Sequence, residues 1–208
     1  MNVIKVNNLC KSFNGISVLK DVNLNVKKGE IVGIIGRNGS GKTVLLKIIS
    51  GLYFPSSGNV IINSNYNLYK DFGILIDTNF LDNYNAFDNL KNISLLRNVI
   101  SDFEIRKVLE FVLLEPYSKV LYKNFSTGMK QKLKIAQAIM EKPKFLILDE
   151  PFNGLDMESV LYFRKELIKL KDNGVGIIIT SHYKEDIESL CDVVYEMNNG
   201  VMKLYEKK

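Results

Sequence analysis

The sequence predicts an α/β fold, in which a core sheet carries an antiparallel edge and an inserted helical segment. Ile31–Ile35 is an apolar run typical of a buried strand, and a glycine-rich turn then leads to an apolar helix over residues 44–49. Phe145–Leu148 is an all-apolar run of the kind that parallel strands bury on both faces, and residues 176–180 are predicted to form another buried strand. Between these runs, apolar residues at helical spacing over 86–114 predict the insert.

The other elements follow from alternating polarity and from cap and turn residues. Strict alternation over residues 22–26 predicts a half-buried antiparallel strand. Ser126 is a typical N-cap residue for the helix that follows it. In chain order the remaining predicted elements are strands 3–9, 22–26, 59–62 and 74–76, helices 126–140, 159–171 and 184–190, and a final hairpin of strands 193–195 and 201–204.

Composition is that of an ordinary globular protein and excludes several classes. Of 208 residues, 46% are hydrophobic and 25% charged, and the net charge is +5. No apolar run approaches the length of a membrane helix, and the N-terminus does not resemble a signal peptide, so we expect a cytoplasmic chain. The lysines are scattered, which argues against a nucleic-acid partner. The two cysteines, Cys10 and Cys191, lack metal-type spacing.

A glycine-rich turn after Ile31–Ile35 matches the pattern G-x-x-x-x-G-K-[ST], and its strand–turn–helix context predicts a phosphate-binding loop. Glycines allow successive backbone amides to surround an anion. Lys42 at a helix N-terminus opposes the helix dipole unless an anion such as a triphosphate lies there, and Thr43 can bind the accompanying Mg²⁺. The residues of this loop are Gly36, Arg37, Asn38, Gly39, Ser40, Gly41, Lys42 and Thr43.

Two acids and the single histidine of the chain follow predicted buried strands. Asp149 and Glu150 end the strand Phe145–Leu148, and His182 follows the strand over 176–180. Open α/β sheets bind ligands at this carboxyl edge. Asp149 is therefore expected to hold Mg²⁺ together with Thr43, and Glu150 to orient or deprotonate an attacking water. His182 is expected to contact the γ-phosphate.

In this order the motifs resemble the nucleotide-binding subunit of ATP-binding cassette (ABC) transporters, over essentially the whole chain. The resemblance implies a RecA-like P-loop NTPase core over 1–85 and 136–208, with a helical signature subdomain over 86–135. Residues 36–43 match the family's Walker A motif, and residues 145–150 match Walker B with its catalytic glutamate. Residues 153–156 resemble the D-loop, and His182 resembles the switch histidine. Phe13 stands where the family stacks an aromatic ring on adenine, and Val18 and Val44 are assigned to the same nucleotide site.

Two motifs depart from the family pattern. The signature L-S-G-G-Q corresponds to residues 125–129, where Ser126 and Gly128 remain but Thr127 replaces a glycine and Met129 a glutamine. Ser126, Thr127 and Gly128 are still expected to meet the ATP of a partner subunit. Asp77 replaces the usual Q-loop glutamine and is assigned to the metal. An acid in this segment resembles the exporters that give resistance to bacitracin and lantibiotic-type peptides.

The resemblance implies an ATPase, with ATP and Mg²⁺ as cofactors, that powers a separate membrane permease and exports a peptide or antibiotic. It also implies a head-to-tail pair with a second ATP-binding subunit, most simply a homodimer, held at the inner face of the membrane through the permease. A DNA-repair ABC ATPase is an alternative, although residues 44–125 leave no room for its long coiled coil. A regulatory nucleotide switch that does not hydrolyse ATP is another alternative, against which Glu150 argues.

Overall fold

Two sheets organise the fold in a computed structural model, which describes residues 2–183 and 187–205. The smaller sheet is antiparallel and places β1 between β2 and β4. The larger sheet has the order β5-β6-β7-β3-β8-β9, with parallel pairing from β5 to β8 and an antiparallel β9. The strands are β1 (Asn2–Phe13), β2 (Ile16–Lys27), β3 (Ile31–Ile35), β4 (Ser57–Ile62), β5 (Phe72–Leu75), β6 (Phe145–Leu148), β7 (Gly176–Ser181), β8 (Val193–Asn198) and β9 (Val201–Leu204).

The strands predicted from apolar runs and alternation are present, which confirms the α/β class with an antiparallel edge. Helix α1 packs in the apolar layer between the two sheets, where Leu45, Leu46 and Ile49 are buried. The other face of the larger sheet is covered by a second apolar layer, which α5 and α6 share with α3 and α4. The helices are α1 (Lys42–Ile49), α2 (Leu68–Asp71), α3 (Ala86–Ser94), α4 (Asp102–Phe111), α5 (Thr127–Ile139) and α6 (Met157–Asp172).

The helical insert consists of two helices where periodicity alone suggested one continuous block. Helix α3 ends at Ser94, and α4 begins after Ser101. Ser101 and Glu104 form a reciprocal capping box, in which each side chain accepts a hydrogen bond from the other residue's backbone amide. A capping box satisfies amides that the first helical turn leaves unpaired, so it starts a new helix at that point.

The predicted helix over 126–140 is confirmed, because Ser126 caps α5 and Met140 ends it. The predicted helix over 184–190 begins with residues that lie outside the described part of the chain. Within residues 2–183 and 187–205, no helix has both the length and the apolar character needed to cross a membrane.

Candidate nucleotide site

The strand order brings three separate motifs to one edge of the larger sheet. Strand β7 lies between β6 and β3, and all three strands run parallel. Asp149 follows β6, His182 follows β7 and Gly36 follows β3. Gly36, which lies more than a hundred residues before the other two in sequence, therefore meets them at the carboxyl edge, where ligands bind in open α/β sheets.

The loop between β3 and α1 has a backbone that only glycines accommodate easily. Gly39 and Gly41 have φ angles of 79° and 111°, a region that disfavours side chains. A Cβ atom at Gly36 would lie 2.4 Å from the Met197 carbonyl oxygen, so the loop also packs closely on the end of β8. The Ser40 hydroxyl is buried and has no hydrogen-bond partner among the described residues. Together these features form a polar cradle at the N-terminus of α1, which suits a phosphate group.

Lys42 begins α1 and is buried against the loop that precedes it. Its ammonium group donates to the Gly36 carbonyl oxygen at 2.6 Å and lies 3.2 Å from Oε1 of Glu150. A cavity of about 350 Å³ surrounds this loop and is lined by Val18, residues 38–44 and Glu150. A neighbouring cavity of about 490 Å³ is lined by residues 35–38, His182 and Glu196. Val18, Val44 and His182 therefore line cavities beside the phosphate-binding loop, and their contact with a nucleotide stays a prediction.

Asp149 is held between two hydroxyl groups. Thr43 donates to its Oδ2 atom at 2.6 Å, and Thr180 donates to its Oδ1 atom at 2.6 Å. Because the proton of the Thr43 hydroxyl points to Asp149, the lone pairs of its oxygen are available for a cation. One carboxylate and one hydroxyl match the sparse oxygen ligation that Mg²⁺ uses beside substrate phosphates. The residues present therefore fit a magnesium ion.

Glu150 lies in a left-handed backbone conformation with φ 47°, and neighbouring groups hold it there. Its amide donates to the Thr180 hydroxyl at 2.9 Å, and its Oε2 atom accepts from the His182 amide at 3.2 Å. The same oxygen lies 2.9 Å from Nδ1 of His182. Since a carboxylate only accepts, Nδ1 carries the proton in this contact. His182 can therefore orient the acid that was predicted to activate water.

Gln131, which was not predicted as a site residue, joins α5 to the acids. Its side-chain amide donates to the backbone carbonyl oxygens of Glu150 and Pro151, at 3.2 and 2.9 Å. Its position two residues after the signature segment was the signal that could have identified it. Gln131 thus connects the helix that carries the signature to the loop that carries Glu150.

The signature residues contact the loop after β6. Ser126 accepts a hydrogen bond from the Met129 amide at the start of α5. A Cβ atom at Gly154 would lie 2.6 Å from the Thr127 methyl group, and one at Gly128 would lie 3.2 Å from the Gly154 carbonyl oxygen. Thr127, which replaces a family glycine, is therefore accommodated because Gly154 faces it.

Phe13 lies at the tip of the β1–β2 hairpin and is 39% exposed. Its ring packs edge-on against Tyr53 at 5.8 Å between centroids, and the Lys11 ammonium lies 4.8 Å from its centroid. The residues that line the cavity around the loop include Val18 from the same hairpin. An exposed aromatic at this tip is available to a ligand, and stacking on adenine stays a prediction.

Asp77 pairs with a lysine on α1. Its carboxylate lies 2.5 Å from the Lys47 ammonium, its side chain is 67% exposed, and its φ angle is 45°. The hydrogen bond to Asp77 raises the pKa of Lys47. Lys47 lies one helical turn after Thr43, so the ion pair connects the segment after β5 to the helix of the phosphate-binding loop. The predicted contact of Asp77 with the metal stays a prediction.

Comparison with known proteins identifies the family. A family model described as ABC transporter matches residues 19–153. The chain is 43% identical to an uncharacterized ABC transporter ATP-binding protein, YybJ, of Bacillus subtilis, over 99% of this chain and 97% of the relative. It is 40% identical to the bacitracin transport ATP-binding protein BcrA of Enterococcus faecalis, over 95% of this chain and 67% of the relative. It is 37% identical to the lantibiotic transport ATP-binding protein SrtF of Streptococcus pyogenes, over 92% and 85%.

Solved structures that resemble this chain come from the same family as these relatives. The dimeric structure of MJ0796, a bacterial ABC transporter cassette, superimposes with a TM-score of 0.86 at 25% identity, covering 99% of this chain and all of that one. The match favours a transporter over a DNA-repair or regulatory ATPase. The chain therefore belongs to the ABC transporter family, as an ATP-binding subunit that hydrolyses ATP and works with a membrane permease.

Proposed function

We propose that the edge formed by β3, β6 and β7 carries out ATP hydrolysis through side chains with separate roles. Lys42 neutralises the β- and γ-phosphates that the amides of residues 38–43 surround. Glu150 accepts a proton from the attacking water, and His182 orients Glu150 and contacts the γ-phosphate. The observation that carries this proposal is the placement of Lys42 and His182 on the two carboxylate oxygens of Glu150, at 3.2 and 2.9 Å.

Thr43 and Asp149 would hold Mg²⁺ at this site. The bound ion would supply positive charge against the charge that develops on the transferred phosphoryl group. Thr43 contributes its hydroxyl oxygen, and Asp149 keeps that hydroxyl oriented by accepting its proton at 2.6 Å. Asp77 is proposed to respond to the same metal from the segment after β5. Phe13 is proposed to stack on adenine, with Val18 and Val44 bordering the nucleotide.

A head-to-tail homodimer would complete each site. Ser126, Thr127 and Gly128 lie at the N-terminus of α5, whose first amides can bind an anion. Within one subunit Thr127 and Gly128 lie against Gly154. The proposed ligand of Ser126, Thr127 and Gly128 is the γ-phosphate of ATP bound to a partner subunit. The dimeric assembly of the similar cassette MJ0796 supports this arrangement. We further propose that residues 86–135 form the helical signature subdomain, with 1–85 and 136–208 as the nucleotide-binding core.

The proposed cargo is a peptide antibiotic that the transporter exports. Two relatives, BcrA and SrtF, are named for bacitracin and lantibiotic transport. In this proposal the chain is cytoplasmic and lies at the inner face of the cell membrane, where a separate permease binds it. The permease selects the cargo, and closing and opening of the ATP-bound dimer drives the permease.

Two measurements test the proposal. Phosphate release from ATP by the full-length chain is expected to require Mg²⁺ and to be lost in Glu150→Gln. Cells that express the chain with its permease are expected to survive higher bacitracin or lantibiotic concentrations than cells that carry Glu150→Gln. Resistance that does not change with Glu150→Gln would overturn the proposed cargo, whereas ATP hydrolysis by Glu150→Gln would overturn the role of Glu150.

A further inference from the structure

Thr180 connects the two acids of the site through one hydroxyl group. It lies in β7 and is fully buried. Its Oγ1 atom donates to Oδ1 of Asp149 at 2.6 Å and accepts from the Glu150 amide at 2.9 Å. A hydroxyl donates its one proton and accepts with its lone pairs. The Oγ1 atom of Thr180 therefore holds both the side chain of Asp149 and the backbone of Glu150.

Strand register explains why Thr180 reaches both acids. Strands β6 and β7 pair in parallel with Leu148 opposite Ile179, so the residues that follow each of them meet at the carboxyl edge. Leu148 and Ile179 are themselves buried in the apolar layer beneath. A threonine at position 180 therefore places a hydroxyl where Asp149 and Glu150 leave β6.

The two hydrogen bonds act on different parts of the proposed mechanism. Asp149 accepts from Thr43 with its other oxygen, so Thr180 sets the rotation of the carboxylate that faces the metal position. The second bond holds the amide of Glu150, whose φ angle of 47° is uncommon for a residue with a side chain. In this backbone conformation the Glu150 carboxylate contacts both Lys42 and His182.

We propose that Thr180 is a positioning residue for ATP hydrolysis, which aligns Asp149 for the metal and Glu150 for the attacking water. This inference rests on the proposed roles of those two acids. It differs from a purely structural role, in which the hydroxyl would only satisfy buried polar groups and its loss would lower stability without changing the metal dependence of catalysis.

The test compares Thr180→Val, which keeps the shape and removes the hydroxyl, with Thr180→Ser, which keeps the hydroxyl and removes the methyl group. Removing a group that orients a metal ligand typically costs about 10- to 100-fold in activity or metal affinity. Thr180→Val is therefore expected to lower kcat by about 10- to 100-fold and to raise the Mg²⁺ concentration for half-maximal ATPase by about tenfold. Thr180→Ser is expected to stay close to wild type in both quantities.

Two further variants test whether misfolding, or the loss of any buried hydroxyl, could explain the effect. Thr180→Ala removes the hydroxyl and leaves a smaller side chain than Thr180→Val, and it is expected to have the same effect on kcat and Mg²⁺ dependence. If the valine variant folds poorly, the alanine variant therefore still tests the inference. Ser94→Ala removes another buried hydroxyl, which donates to the Lys91 carbonyl oxygen in α3, and is expected to keep wild-type Mg²⁺ dependence. Thermal unfolding and circular dichroism of each variant separate a loss of fold from a loss of alignment.

The outcomes distinguish the inference from the function on which it rests. Thr180→Val with wild-type kcat and wild-type Mg²⁺ dependence would overturn the positioning role. Equal impairment of Thr180→Val and Thr180→Ser would also overturn it, because the loss of activity would then not depend on the presence of the hydroxyl. A wild-type chain without Mg²⁺-dependent ATPase would instead overturn the proposed metal site itself.

Discussion

The Lys42 ammonium lies 3.2 Å from Oε1 of Glu150, so the cation expected to bind phosphate is paired with the acid expected to activate water. Both side chains are largely buried, at 6% and 19% exposure. Breaking a buried pair is costly unless another charge replaces the lost partner. The phosphates of ATP are such a replacement for Lys42, and Glu150 then keeps His182 as its partner at 2.9 Å. Binding of ATP is therefore expected to change the surroundings of Glu150, the residue proposed to accept the proton of the attacking water.

Glu150→Gln is expected to retain ATP binding and to lose turnover. The substitution keeps the size of the side chain and the backbone bond to Thr180 but removes the base, and general bases contribute about 10²- to 10⁴-fold to rates. Phosphate release should fall at least about a hundredfold, and the closed dimer should accumulate with Mg-ATP on gel filtration. The exposed Glu158→Gln, in the first turn of α6, serves as the control. Normal hydrolysis by Glu150→Gln would contradict the assignment.

Lys42→Ala is expected to abolish ATPase almost completely. The variant removes the buried charge at the N-terminus of α1 that faces the phosphates, and it also leaves Oε1 of Glu150 without its cation. Binding of ATP, followed by a fluorescent analogue, should weaken together with activity. Lys5→Ala, which removes an exposed lysine from β1, should change neither. Wild-type ATP affinity in Lys42→Ala would show that the loop does not bind the phosphates through this side chain.

Phe13→Ala is expected to weaken binding of ATP and GTP equally, because any purine offers a face for stacking. Stacking of one base is worth about 1–3 kcal/mol if single-strand recognition is a guide. Calorimetric titration with both nucleotides measures the loss. Ile16→Ala, at the other end of the same hairpin turn and 70% exposed, is the matched control. Unchanged affinity in Phe13→Ala would mean that the ring only packs against Tyr53.

Asp77 is tested by comparing wild type with Asp77→Gln and Asp77→Ala, with and without the permease. Asp77→Gln should keep basal ATPase within about tenfold, which corresponds to a barrier change of ~1.4 kcal/mol. Asp77→Ala should uncouple hydrolysis from transport and leave ATP affinity nearly intact. A metal-sensing role predicts that the Mg²⁺ dependence of ATPase differs between wild type and the Asp77 variants. Lys47→Ala breaks the same ion pair but keeps the carboxylate, so it is expected to retain the wild-type Mg²⁺ dependence. Identical Mg²⁺ curves and identical permease stimulation in all the Asp77 proteins would leave Asp77 without a role in metal sensing.

Glu104 is expected to make unfolding of the protein sensitive to acid through the cap of α4. A hydrogen bond from Lys142, followed by bonds from the amide and hydroxyl of Ser101, lowers the pKa of Glu104 from 4.5 to about 2. A lowered pKa contributes stability above pH ~4.5 that is lost as the pH falls towards 2. Glu104→Gln should therefore flatten the dependence of the unfolding midpoint on pH in this window. Glu110→Gln, an exposed change on the same helix, should keep the wild-type slope, and equal slopes for Glu104→Gln and wild type would show that Glu104 is not the source of the acid sensitivity.

Much of the fold was readable from local patterns. The apolar run Phe145–Leu148 is a strand with the predicted bounds, and Ser126 caps α5 as predicted. Such features depend on the backbone preferences and polarity of a few consecutive residues, and these can be read from the sequence alone. The break between α3 and α4 was missed because helical periodicity continues across it, while the capping box of Ser101 marks the new start.

The identity of the phosphate-binding loop and the presence of acids at a strand end were determined by the sequence alone. The tertiary structure decided which groups those acids meet. Thr43 donates to Asp149 across 106 residues of chain, and Thr180 donates to it across 31. Thr180 lies beside Asp149 because β7 is the neighbour of β6 in the sheet. The ion pair of Lys47 with Asp77 likewise depends on how α1 and the segment after β5 pack. Strand order and helix packing are set by the burial of apolar surface over the whole chain, so local residue patterns do not specify these contacts.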